Sequence, residues 1–363
     1  MKKITLILAA ALLGVSGAKA QESTPLVLSG SVDTYYKYDF SGEGQVPTSF
    51  NEDHHSFSLG MVNLIASKEV GKASFVADLS FGPRSLGSLP LTDSEESEQF
   101  NIQNLYVSYA LSDVVSFDMG YMGTFVGYEV ISPVDNFNYS TSYLFTNGPF
   151  QNAGLKLNVA PSESFDFMVG VFNDVNGYSN NGKFDLGAQV HFAPSEGIDI
   201  YVNYLTSGDS ASEGGFDEID LTAGFQLSDE FYLGVNAAKT WAKGTDRYLS
   251  QRNNGSFWGV ALYPQYAVSE AVTVGLRYEH FVSHLDADTK PAVNAVTASA
   301  NVSLGQLTLI PEFRVDMNTR SNNALVINDQ GVLDDTYLKS FKDADGKATK
   351  TAAQIGLAAV YSF

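Results

Sequence analysis

Apolar and polar residues alternate with period two along most of the chain. Between residues 26 and 40, Leu26, Leu28, Val32, Thr34, Tyr36, Tyr38 and Phe40 fall on one face, and Ser29, Ser31, Asp33, Tyr35, Lys37 and Asp39 on the other. This is the signature of a β-strand with one apolar and one wet side. It returns at Phe75, Ala77, Leu79 and Phe81 against Asp78 and Ser80, at Leu155 and Leu157 against Lys156 and Asn158, and at Ile219 and Leu221 against Asp220 and Thr222. Sixteen such strands are expected, the first at 26–40 and the last at 351–363. At 61–66, 256–267 and 294–304 both faces carry apolar residues, and Pro311 would lose a ladder bond inside its strand, so the count is open by two.

The connections sort into two kinds. Short Ser-acid turns recur at Leu111–Asp113, Pro161–Glu163, Pro194–Glu196, Leu227–Asp229 and Val268–Glu270, where serine and aspartate bond their own backbone and proline presets the turn. Seven tight turns alternate with eight longer polar connections, of which 82–101, 123–151 and 318–350 are the longest. Tight turns on one rim and long loops on the other are the layout of an outer-membrane barrel, with short periplasmic turns and long external loops. The expected fold is therefore all-β: a transmembrane antiparallel β-barrel of about 16 strands, apolar outside and wet inside. The last strand agrees, since Ile355, Leu357, Tyr361 and the terminal Phe363 share one face in the manner of the C-terminal strands of bacterial barrels.

Composition narrows the compartment. Residues 1–20 have a charged start (Lys2, Lys3), an apolar stretch (Ile4–Val15) and a small-residue site (Ala18-Lys19-Ala20), which predicts a cleavable secretory leader ahead of a barrel at 21–363. The chain has no cysteine, which removes disulfides, thiolate metal sites and lipid-modified cysteine. It has 21 basic and 41 acidic residues, and the expected leader holds three of the lysines, so the remainder is more acidic still. That balance argues against nucleic acid, which requires basic patches, and suits cations or a solvated acidic surface.

Several motifs fall short of chemistry. The run Gly177–Phe184 resembles a phosphate loop, but its last position must be Ser or Thr and is Phe184. The pairs His280/His284 and His54/His55 lack the further ligands that zinc needs. Lys342–Lys347 lacks the acid spacing of a calcium loop. No serine and histidine are spaced as in a barrel hydrolase, so no enzyme activity, metal or cofactor is expected. Aromatics such as Tyr36, Tyr38 and Phe40 at one end, and Phe165, Phe192 and Phe231 beside the short turns, read as interfacial girdles.

The wet faces carry the candidate chemistry. Asp33, Lys37, Asp39, Arg277, Glu279, Glu312, Arg314 and Asp316 are the lumen charges expected from strand phase, either lining a pore or pairing across a water-filled wall. At 123–157, the elements GYE (Gly127–Glu129), DNFNYSTSYLF (Asp135–Phe145), GPF (Gly148–Phe150) and AGLKL (Ala153–Leu157) resemble the OmpL-like β-barrel porins, a family frequent in Bacteroidetes. The resemblance runs more weakly from the first strand to Phe363, and departs at Gln151 and Asn152. It implies an integral channel for small solutes in the bacterial outer membrane, reached through the periplasm.

General porins fold their third external loop inward, and 123–151 is the third long loop here, which makes it the candidate constriction. Glu129, Asp135, Asn136, Asn138 and Tyr139 are its candidate pore residues, with the two acids expected to face Lys37, Arg277 or Arg314. The expected function is a porin giving passive diffusion of small hydrophilic solutes and ions, weakly cation-preferring. A substrate-specific channel, a non-conducting structural or adhesion barrel and a soluble secreted β-protein are the alternatives. Outer-membrane lipid is the expected partner, and a homo-oligomer is compatible with this reading.

Overall fold

A computed structural model describes residues 24–86, 101–180, 182–207, 215–243, 256–284, 292–318, 326–327, 333–334, 341–347 and 349–363. The expected leader and parts of the 82–101 and 318–350 connections lie outside the described residues. The strands are β1 (Val27–Asp39), β2 (Ser56–Val70), β3 (Ala73–Phe81), β4 (Asn101–Ala110), β5 (Val115–Gly123), β6 (Gln151–Ser162), β7 (Phe165–Phe172) and β8 (Asp185–Ser195). They continue as β9 (Ile198–Thr206), β10 (Gly215–Gln226), β11 (Phe231–Lys243), β12 (Ser256–Ser269), β13 (Val272–His284), β14 (Ala292–Leu304) and β15 (Leu307–Asn318). A two-residue ladder, β16 (Val326–Ile327) with β17 (Leu333–Asp334), precedes β18 (Thr351–Ser362). Two short helices, α1 (Pro83–Leu86) and α2 (Tyr143–Asn147), interrupt the long connections.

Strands β1–β15 and β18 form one closed barrel of 16 antiparallel strands, each next to its sequence neighbour, with β18 closing onto β1. Closure removes every edge, so all the backbone ladder bonds are met without water, as a bilayer requires. At the seam Thr34 faces Ala359, and Gly30 and Phe363 exchange backbone N–H···O bonds of 3.0 Å each.

The turns at the short-loop rim are tighter than the sequence suggests. Strands β6 and β8 run through Pro161 and Pro194 to Ser162 and Ser195, with ladder irregularities at 159/162 and 192/195. Proline has no N–H to give the ladder, so the strand bulges there rather than ending. Gly71 (φ 62°) and Gly305 (φ 74°) take the left-handed conformation that such turns demand. Pro311 stays within β15, its side chain facing outward, and the β14–β15 ladder skips it between Ser299↔Glu312 and Val302↔Leu309 without a change of register.

Polarity is inverted relative to a water-soluble barrel. Leu276 is 47 % exposed while its neighbour Arg277 is fully buried, and Phe313 is 46 % exposed beside a fully buried Arg314. The apolar faces lie outward and the charged faces inward, where they are covered by protein. Burying an unpaired charge costs several kcal/mol, so what covers them must also satisfy them. Packing confirms an internal core: Tyr143 and Leu144 of α2 join Phe257, Ala261, Tyr263, Phe281 and Ala295 of the wall.

Candidate functional site in the lumen

The segment between β5 and β6, residues 124–150, turns into the barrel and is held there by the inward faces of the strands. Its backbone supplies donors that the wall carboxylates accept. Glu312 on β15 accepts from the N–H groups of Tyr139 (3.1 Å) and Ser140 (3.3 Å). Glu279 on β13 accepts from those of Tyr143 (2.9 Å) and Leu144 (2.8 Å), in the first turn of α2. Asp220 on β10 accepts from Gly127 N–H at 3.0 Å. The tyrosine hydroxyls add two more bonds, Tyr139 to Asp33 at 2.5 Å and Tyr143 to Asp316 at 2.7 Å.

The arginines meet the loop's acceptors. Arg277 pairs with Glu129 at 2.6 Å and donates to the Ser140 carbonyl (2.5 Å), the Thr141 carbonyl (3.2 Å) and Thr297 Oγ1 (3.2 Å). Glu129 in turn accepts from Ser142 N–H at 2.7 Å. Arg314 is paired with Asp316 at 2.7 Å and donates to the Thr141 carbonyl at 2.8 Å and to Thr48 Oγ1 at 3.1 Å. Hydrogen bonds to ionised groups are the stronger kind, and these arrive in pairs along one stretch of chain, Tyr139–Leu144.

Strand phase brought these residues to one face but left their roles undefined. Asp33, Arg277, Glu279, Glu312, Arg314 and Asp316 all hold the 124–150 segment. Lys37 and Asp39 serve the β1–β2 connection instead: Lys37 Nζ donates to the Asn51 and Glu52 carbonyls, and Asp39 accepts from Ser41 and Gln45 N–H groups. Of the loop candidates, Glu129, Asn138 and Tyr139 face the wall rather than the passage, Asn138 bonding Ser299 Oγ at 2.7 Å. Asn136 bonds its own loop at Val130, donating to the carbonyl (2.6 Å) and accepting from the N–H (2.9 Å). Asp135 makes none of these contacts and stands exposed. Desolvation by the surrounding barrel raises the Asp135 carboxyl above the ordinary aspartate range.

Two contributors carry no sequence signal. Arg84, in α1, is fully buried, donates to the carbonyls of Ile131 (2.7 Å) and Tyr139 (3.4 Å) and lies over the rings of Phe50 (4.8 Å) and Tyr139 (5.0 Å). The β1–β2 connection also reaches inward, with Ser49 bonded to Thr141 and Thr146 and Phe50 packed on Phe145 and Phe150. Neither stretch has a helical or strand period, so phase gives no inwardness for it.

The other motifs are local structure. Gly177 and Gly182 N–H groups bond Asp174 and Asn180 in ordinary turns. Asp343 Oδ1 accepts from the N–H groups of Asp345 (3.0 Å) and Lys347 (2.9 Å), which shapes the Lys342–Lys347 turn. His280 is bonded to Asn294, His54 accepts from Asp39 N–H, and the side chain of His284 lies outside the described residues.

Residues 25–363 match the sequence model of the family described as "Putative beta-barrel porin-2, OmpL-like". None of the curated proteins matches the chain in sequence. Among solved structures it is similar to the outer-membrane channel DcaP of Acinetobacter baumannii, with a TM-score of 0.62 and 14 % identity over 96 % of this chain and 100 % of that one. It is also similar to an anion-selective porin from Comamonas acidovorans (TM-score 0.59, 13 % identity, 94 % and 100 % covered). A third likeness is to the trimer form of OmpT from Vibrio cholerae (TM-score 0.56, 10 % identity, 93 % and 99 % covered). At these identities the likeness concerns the barrel alone.

Proposed function

We propose, from the premise that this chain belongs to the OmpL-like β-barrel porin family, that its barrel is a passive, weakly cation-preferring diffusion channel narrowed by the 124–150 segment. The observation that carries the reading is how the lumen's charges are divided. The basic groups of Lys37, Arg84, Arg277 and Arg314 are all buried beneath chain segments that they hold in place. No open row of arginines is left along the passage among them.

Some acids, by contrast, stay accessible. Asp135 on the loop and Asp199 on the inward face of β9 are exposed, and Asp166 on β7 and Asp118 on β5 are partly so. The basic side chains beside them are already engaged: Lys156 with Asp118 at 3.4 Å, and the His191 ring with Asp166 at 2.6 Å and Asp199 at 3.1 Å. A passing ion thus meets a net negative lining, which raises the local concentration of cations. The anion selectivity of the Comamonas protein is a property of that protein, and the lining here favours the opposite sign.

The outward faces fit lipid, and homo-oligomerisation of this barrel is compatible with the trimeric form of the OmpT neighbour. Purified, folded protein inserted into a planar bilayer should give ohmic current steps and fluxes that do not saturate. Saturable flux of one solute would move the reading to a substrate-specific channel, and a folded barrel without steps would leave a structural or adhesion role.

A further inference from the structure

The loop's side chains enter the wall at glycines. Gly187 on β8, Gly234 on β11, Gly259 on β12 and Gly275 on β13 all lie on inward-facing positions, in phase with Gln189, Asn236, Ala261 and Arg277. A Cβ added at Gly187 would stand 2.5 Å from the Phe125 ring, and one at Gly259 would stand 3.0 Å from Leu144 Cδ2. At Gly234 it would overlap the Tyr128 hydroxyl and ring, and at Gly275 the Phe137 ring. At Gly234 the added Cβ would meet Tyr128 alone; at Gly187 it would also meet the Phe172 ring (2.8 Å), and at Gly259 and Gly275 the His280 and Pro264 carbonyls of the neighbouring strands (2.9 Å each). Glycine weakens a strand interior relative to alanine, so an interior glycine often marks a close approach.

The inserted segment is held beside each seat, by ring stacking at Phe125 and Tyr128 and by backbone hydrogen bonds at Phe137 and Leu144. Tyr128 is stacked on Tyr263 (4.3 Å between centroids, 19° between planes) and bonded to the Tyr232 hydroxyl at 3.2 Å. Phe125 is stacked on Phe172 at 5.6 Å, Leu144 N–H is held by Glu279, and the Phe137 carbonyl accepts from Asn301 at 3.0 Å. At Gly234, where Tyr128 alone stands in the way, a larger residue lifts the loop off the wall into the lumen, and at the other seats it presses on the loop and the wall together.

We infer that Gly187, Gly234, Gly259 and Gly275 are specificity-determining residues, because they set how deeply the 124–150 segment lies against the wall and so fix the bore that remains. This rests on the porin reading and assigns the size limit of that same passage to residues far from its open acids. The device is steric, so it acts on solutes of either charge.

Single-channel recording of folded, heat-modifiable barrels tests it. Gly234→Val and Gly275→Val should each lower conductance about twofold, as expected when a constriction narrows by a side-chain width. Gly356→Val is the control, since a Cβ there would meet only the Tyr36 carbonyl, at 3.6 Å, an ordinary contact. Truncating the inserted side chain, in Gly234→Val with Tyr128→Ala and in Gly275→Val with Phe137→Ala, should restore the wild-type value. Should the valine variants not fold, Tyr128→Ala and Phe137→Ala alone still report, because a loop that settles deeper against the wall should raise conductance. Folded glycine variants with unchanged conductance, no restoration in the pairs, or truncations without effect would overturn the inference. A wild-type barrel that passes no ohmic current would instead sink the porin reading itself.

Discussion

Arg277 sits where the lumen wall's charge balance is decided. It and Arg314 are the two arginines among Glu129, Glu279, Glu312 and Asp316, so the cluster holds more acid than base. The excess is tolerable because loop N–H groups point at Glu279 and Glu312 and supply the missing positive potential. The two partners of the Arg277–Glu129 pair are then not equivalent. Arg277→Met leaves several buried carboxylates facing one another and should cost about 3–5 kcal/mol, the range for breaking a buried pair. Glu129→Gln should cost less, since Glu312 still attracts Arg277. Chemical unfolding in detergent measures both, and the double variant should recover part of the Arg277→Met loss. Equal losses for the two single variants would show that the acid excess is not what the arginine offsets.

The 124–150 segment shows what an element without a period can do. Its own secondary structure amounts to one helical turn, α2, capped by the Ser142 side chain. Its position comes from the wall: carboxylates for its N–H groups, arginines for its carbonyls and glycines for its rings. Shortening Val126–Phe150 should raise single-channel conductance, because the freed wall charges would be rehydrated by the water that replaces the loop and would not drive the strands apart. Unchanged conductance from a folded barrel would show that the segment does not limit the passage. The sequence carried the strands well, since alternation such as Asp33/Val32 and Glu312/Phe313 assigns the side of the barrel directly. It carried the site less well. Phase put Arg277 inward but gave no distance, so Glu129 had three basic candidates and no means of choosing among them. Arg84 lies in a Pro-containing turn with no period, and nothing in the alternation of their strands marks Gly234 and Gly275 as seats for the facing loop.

On the scale of the whole molecule, the barrel is integral to the outer membrane, with its apolar residues outward and its core inside the lumen. The closed ladder satisfies the backbone, the outer face meets lipid, and the inward charges are consumed in fixing two loops. In the proposed channel a passing ion meets a short set of acids, of which Asp135 is the one carried by the 124–150 segment. Desolvation raises its carboxyl above the ordinary aspartate range, so acidification neutralises it earlier than an ordinary carboxylate. Cation preference should therefore weaken on acidification earlier than an ordinary carboxylate would dictate, and Asp135→Asn should weaken it. The most direct measurement is the reversal potential of the folded protein in a planar bilayer across a potassium chloride gradient. The account predicts a potential of the sign set by potassium, shrinking as the pH is lowered; a potential of the sign set by chloride at neutral pH would contradict it.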